Sequence, residues 1–102
     1  MIYVNKFDTA KGIMIAMCDE ELIGRVLREG KVEIDLKQYG SFYKGVLVNE
    51  IEAEKYVTEK VYSANVVGER SVNILLEKGI VKKDQVRKCE GVSYVHLFRV
   101  LK

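Results

Sequence analysis

The sequence predicts an α+β domain in two layers, a small mixed or antiparallel sheet with about three helices packed on it. Three observations carry this: strand-length apolar segments near both ends, helix-period apolar stripes between them, and punctuation by glycine alone. The chain has 102 residues, eight glycines and no proline. With 48% hydrophobic and 31% charged residues it has the composition of a folded domain, not of a disordered segment. A chain of this length buries roughly two-thirds of its unfolded surface. Without a repeat, a linker or a low-complexity stretch, residues 1–102 read as a single domain.

Residues 2–8 and 12–18 read as two strands joined by a hairpin-length connection. The second is apolar on both faces, which places it inside the sheet. Residues 19–29 read as a helix: acidic residues fill the first turn, Leu22, Ile23, Val26 and Leu27 form a stripe, and Gly30 follows as a left-handed cap. Gly24 inside this helix costs about 1 kcal/mol relative to alanine, which close packing would offset. Val32, Ile34 and Leu36 alternate with charged residues, as in a strand with one wet face. A second helix is expected from Glu50 to about Tyr62, capped by Asn49 with Glu52 as reciprocal partner and with Ala53, Tyr56, Val57 and Val61 inward. After the strand-like stretch 64–67, a third helix opens at Gly68-Glu69 and closes at Gly79, burying Val72, Leu75 and Leu76. The tail returns to strands over 86–89 and 92–101, split at Glu90-Gly91.

The net charge of +2 hides an asymmetry. Residues 1–77 carry 10 basic and 13 acidic groups, a balance of −3, whereas residues 78–102 carry 7 and 2, a balance of +5. An anionic partner would therefore be met by Lys82, Lys83, Arg87, Lys88, Arg99 and Lys102, unless these form only a solvated rim. The longest apolar run, residues 12–18, is far short of the roughly 20 residues that span a bilayer, and no signal-like segment opens the chain. A cytoplasmic location without membrane association is expected. Cys18 and Cys89 lack metal-ligand spacing and are expected to be reduced thiols, although a single bridge between them stays open.

Two segments have the composition of binding sites. The stretch Ala64-Asn65-Val66-Val67-Gly68-Glu69-Arg70 runs from a strand through a glycine into a helix, where unpaired backbone N–H groups favour an anion. Asn65, Gly68, Glu69 and Arg70 are the candidate phosphate or carboxylate contacts, and Arg70 offers a bidentate one. The alternative is that Glu69 answers those N–H groups from within the chain. In the second segment Lys37, Tyr39, Phe42, Tyr43 and Lys44 combine aromatics with cations, as surfaces that stack unpaired bases do. Such rings also commonly fold back over the core. Together with Lys82, Lys83, Arg87 and Lys88 they are the nucleic-acid candidates. His96, flanked on one strand face by Tyr94 and Phe98, reads as a packed residue. Cys18 precedes Asp19, Glu20 and Glu21, whose charges oppose a reactive thiolate. Neither the Walker nor the dinucleotide glycine pattern occurs, so no cofactor, metal site or catalytic residue is assigned.

The blocks Cys18-Asp19-Glu20-Glu21-Leu22-Ile23-Gly24, Arg28-Glu29-Gly30, Phe42-Tyr43-Lys44-Gly45, the stretch from Ala64 to Arg70, and Gly91-Val92 occur in this order. Together they resemble the archaeal proteins grouped as domain of unknown function family 424. The resemblance covers nearly the whole chain and implies a small α/β domain without a settled activity. The family's Gly-Val-Pro-His is replaced by Gly91-Val92-Ser93-Tyr94, with the one histidine two positions further on, at His96. That departure favours a non-catalytic role. Three classes of function follow: a binding module for RNA or a ribonucleoprotein, with a link to translation as one version, which is preferred; a small enzyme using Asp19, Asn65, Glu69 or Arg70 in a shared pocket; or a protein-interaction subunit or homodimer.

Overall fold

The computed structural model describes residues 1–99. β1 (Ile2–Thr9) and β2 (Gly12–Asp19) form the expected hairpin, with Thr9 paired to Gly12 across the turn. Gly12 adopts φ +133° there. β2 is buried continuously from Ile15 to Asp19 because it has neighbours on both sides, as its two apolar faces require.

The helix expected over residues 19–29 does not form. A single 3₁₀ turn covers Glu20–Leu22, Gly24 takes φ +93°, and the chain continues as β3 (Val26–Glu29). β3 pairs antiparallel with β4 (Val32–Asp35) through a two-residue turn at Gly30 and Lys31. The left-handed conformation expected of Gly30 is real, at φ +60°, but it serves this hairpin and not a helix end. Gly24 N–H to Leu36 O (2.9 Å) and Leu36 N–H to Arg25 O (2.8 Å) extend the ladder toward the 3₁₀ turn. A Cβ at Gly24 would meet nothing within 4 Å, so the turn and not close packing accounts for this glycine.

The aromatic segment contains the short helix α1 (Gly40–Tyr43) and leads into β5 (Val46–Val48). α2 spans only Glu50–Glu54, ending well before Tyr62. Half of its cap is as expected, with Asn49 Oδ1 accepting from Glu52 N–H at 2.9 Å, but the Glu52 carboxylate pairs with Lys55 at 3.2 Å and not with the Asn49 N–H. Val61 belongs instead to β6 (Val61–Val67), which is followed by α3 (Glu69–Glu77), β7 (Arg87–Cys89) and β8 (Val92–Phe98). Val100 and Leu101 of the expected last strand lie outside the described residues.

The six-stranded sheet has the order β5-β1-β2-β6-β8-β7, and β2 with β6 is its parallel pair. This mixed sheet with its three helices is the α+β class expected. Ile2, Val4, Ile15, Met17, Ala64, Val66, Val95 and Leu97 form a core with Ala53, Val57, Val72 and Leu75 from the helical side. Each fully buried Val, Leu, Ile or Met side chain contributes about 1.5–3 kcal/mol. The opposite face carries a smaller cluster of Ala16, Cys18 and Val67 beneath Leu22, Leu36 and Tyr43. The β3–β4 hairpin and α1 thus lie over part of the second face as a partial third layer. Among the described residues, no helix is long and apolar enough to cross a membrane.

Candidate functional site

Parallel pairing sets Cys18 beside Val67, so the next residues, Asp19 and Gly68, meet at one corner. Asp19 Oδ2 accepts the Arg70 N–H at 3.1 Å, while Oδ1 accepts the Ser71 N–H at 2.9 Å and the Ser71 Oγ–H at 2.7 Å. Asp19 is only 3% exposed. The Arg70 and Ser71 amides, expected to grip an external anion, are therefore held by the chain's own carboxylate. The carboxylate comes from β2, not from Glu69, whose side chain is exposed and caps nothing. Arg70 is committed to Glu21 (3.3 Å) and Glu50 (3.9 Å). Asp19 and Glu69 share a shallow cleft of about 150 Å³ with Glu21, while Asn65 lines a different cavity, so of the residues weighed for an enzyme pocket the structure brings Asp19 and Glu69 together and sets Asn65 apart.

That different cavity is a groove of about 570 Å³ on the face opposite α2 and α3. Asn65 on β6, with Tyr94 and His96 on β8, lines it from the sheet; Ile34 and Leu36 line it from the hairpin side, with Tyr39 and Phe42 from the aromatic segment. Asn65 pairs directly with His96 in the antiparallel ladder, which sets their Cβ atoms roughly 5 Å apart. Asn65 is half-buried and His96 exposed. The packed-histidine expectation fails because the covering hairpin stops short of this part of β8. Glu33 and Asp35 also line the groove, each already engaged: Glu33 pairs with Arg28 at 3.1 Å, and Asp35 Oδ1 accepts the Lys37 and Gln38 amides at 3.0 and 2.7 Å.

The nucleic-acid candidates divide between exposed and packed positions. Tyr39 is 57% exposed on the groove, whereas Phe42 is half-buried and stacks on Phe7 with ring centroids 5.3 Å apart. Tyr43 is buried in the core, so for this ring the folded-back alternative holds. Lys44 lies over the Tyr3 ring at 5.7 Å, and Lys37 is exposed in the turn before Tyr39. Arg87 pairs with Tyr94 and so shares the groove's face, while its neighbour Lys88 pairs with Ser93 and lies on the other. Lys82 and Lys83 sit in the exposed turn that follows α3. Arg99 is occupied by backbone, with Nε donating to Val61 O at 2.7 Å, and Lys102 lies outside the described residues. Sequence reasoning missed His96 as a groove residue. Its one available signal was the shared strand face with Tyr94 and Phe98.

Cys18 and Cys89 are both free and buried. Burial, followed by the Asp19 and Glu21 charges, pushes the Cys18 thiol up to about 12. Burial first, then Cys18, pushes the Tyr43 phenol up to about 12. Burial, then Glu29 and Glu90, also raises the Cys89 thiol. Neither cysteine is expected to react with a thiol reagent in the native protein at pH 8, and both are expected to react fully in denaturant; rapid native labelling at Cys18 would contradict the packing. Because the raised groups hold protons in the folded state that the unfolded chain has released, their contribution is intact below about pH 9. It is lost as pH rises toward 12, so the denaturation midpoint is expected to fall over that interval and to fall less in Cys18→Ala.

The family model described as "Protein of unknown function (DUF424)" matches residues 7–100. The chain belongs to the DUF424 family. No curated protein matches it. The DUF424 chain shares its fold with the crystal structure of an uncharacterised conserved protein from Methanopyrus kandleri, at a TM-score of 0.75 and 24% identity over 99% of this chain and 96% of that one. In this DUF424 fold two of the blocks that carry the resemblance, around Asp19 and Gly68, form one unit, the carboxylate cap of α3.

Proposed function

We propose that this DUF424 protein is a non-catalytic binding module for unpaired RNA, alone or within a ribonucleoprotein, and that the sheet-face groove receives a base. The observation that carries the reading is the pairing of Asn65 with His96 in a groove also lined by Tyr39, Phe42 and Tyr94. A base has an apolar face, which an exposed ring can stack, and a hydrogen-bonding edge, which a carboxamide and an imidazole can read. Arg87, beside Tyr94, and Lys37, two residues from Tyr39, are placed to meet the phosphates that flank such a base. The groove's volume also lies within the range of small-molecule sites, about 300–1,000 Å³. Lys82, Lys83 and Lys88 contribute charge at a distance and no base contact.

Fluorescence anisotropy with a labelled unstructured oligoribonucleotide tests this. Binding is expected to weaken as salt rises, and Tyr39→Ala is expected to reduce affinity by roughly 5- to 150-fold, the range of about 1–3 kcal/mol for one stacked base. Arg87→Gln is expected to flatten the salt dependence by roughly 0.7 in the logarithmic slope, as for one phosphate contact on a single strand. Absence of salt-dependent binding by the wild-type protein, or identical binding by Tyr39→Ala and His96→Ala, would remove the reading.

A further inference from the structure

On β8, the face that carries Tyr94 and His96 continues past the groove to Phe98. Strand register places two neighbouring rows of side chains on this face of the sheet. Asn5, Ala16, Asn65 and His96 form the row that runs into the groove, and Phe7, Met14, Ser63 and Phe98 form the next one out. Neither row contains a carboxylate, an ammonium or a guanidinium group. At one end of the outer row Phe7 stacks on Phe42 of the groove wall. At the other end Phe98 is 65% exposed, more open than Tyr39. Tyr62, the residue that the β2–β6 register skips, meets the Phe98 ring edge-on, with centroids 5.7 Å apart and planes at 76°, and so supports it from one side.

We propose that Phe98, supported by Tyr62, is a second stacking subsite, which takes the base of the nucleotide next to the one in the groove. This rests on the RNA reading of the groove and extends its footprint to two adjacent nucleotides. Spacing selects the occupant. His96 and Phe98 are two residues apart on an antiparallel strand, roughly 6.8 Å. That is about twice the 3.4 Å rise between stacked nucleotides. Bases that stay stacked on one another cannot serve both rows, whereas an unpaired strand with splayed bases can. Because the rows are uncharged, they suit the flat, neutral base and leave the phosphates outside. A protein partner fits less well: specific protein interfaces bury roughly 1,200 Å² or more, and one ring with its support matches the single face that a base presents.

Competition by unlabelled oligouridylates against a labelled unstructured oligoribonucleotide tests the proposal. Phe98→Ala is expected to weaken binding roughly 5- to 150-fold, as for one lost stacked base. The salt dependence is expected to stay as in the wild type, since no phosphate contact is removed. Phe98→Leu keeps apolar bulk without a ring and is expected to behave as Phe98→Ala, while Phe98→Tyr is expected to bind as the wild type. The chain has no tryptophan, so Phe98→Trp adds a single fluorophore, and saturating RNA is expected to quench it. Circular dichroism checks that each variant is folded. RNA binding that Tyr39→Ala weakens but Phe98→Ala does not, full rescue by Phe98→Leu, or an unquenched Phe98→Trp at saturation overturns this inference and leaves the groove reading standing. Absence of RNA binding by the wild-type protein removes both. Self-association that Phe98→Ala abolishes without any effect on RNA assigns the ring to a second protein chain and also overturns the inference.

Discussion

Gly68→Ala is expected to destabilise the protein by about 3–5 kcal/mol, among the largest effects of any single substitution. Two causes act together. Gly68 holds φ +110° and ψ 150°, a conformation that costs a residue with a side chain about 1–3 kcal/mol. An added Cβ would also fall on the Asp19 carboxylate, so the carboxylate must leave the amides of Arg70 and Ser71. Each buried donor left without a partner costs about 1–3 kcal/mol. For a domain of about 100 residues, such a change lowers the melting temperature by roughly 15–30 °C. Thermal and urea denaturation measure it; a loss below about 1 kcal/mol would mean that the corner is not built as described.

Asp19→Ala attacks the same corner from the other side and is expected to cost about 2–4 kcal/mol, more than an ordinary cap deletion because one acceptor group serves three donors. Asp19→Asn keeps one oxygen for Ser71 but turns an NH₂ toward the Arg70 N–H, so a smaller loss of about 1–2 kcal/mol is expected. The double variant is the sharper measurement. Once Asp19 is truncated, the Cβ at position 68 has no carboxylate to displace, and only the backbone strain remains. The two losses should therefore fall short of additivity by about 1–2 kcal/mol. Full additivity would show that the residues do not act through one another.

What could be read from the sequence was whatever depends on near neighbours. The β1–β2 hairpin, the central place of β2, the Asn49 cap and the whole of α3 follow from alternation, from a stripe of period 3.6 or from a capping residue beside its helix. The segment 19–29 was misleading for a definable reason. Leu22, Ile23, Val26 and Leu27 have helical spacing, yet Leu22 is buried from a 3₁₀ turn and Leu27 from a strand. The positive φ of Gly24 and the two-residue turn at Gly30 and Lys31 select the second arrangement. α2 was overextended because Val57 and Val61 continue an apolar rhythm after the helix has ended. The binding sites were less legible still. Asn65 and Arg70 are five residues apart in sequence but serve different surfaces, and the amides at the start of α3 were satisfied by a residue from the opposite half of the chain. His96 is exposed only because of where another element stops.

The acceptor for the Ser71 amide lies 52 residues away along the chain. A polypeptide that has emerged only as far as α3 can form the N-terminal β-hairpin early, since its contacts are local. The first turn of α3 closes locally through Val72 N–H to Gly68 O, but its Asp19 cap can form only once β6 lies alongside β2. Loop closure of this length exacts its entropy before any contact repays it. Topology therefore sets one order at this corner: the strands align before the carboxylate can reach the helix start.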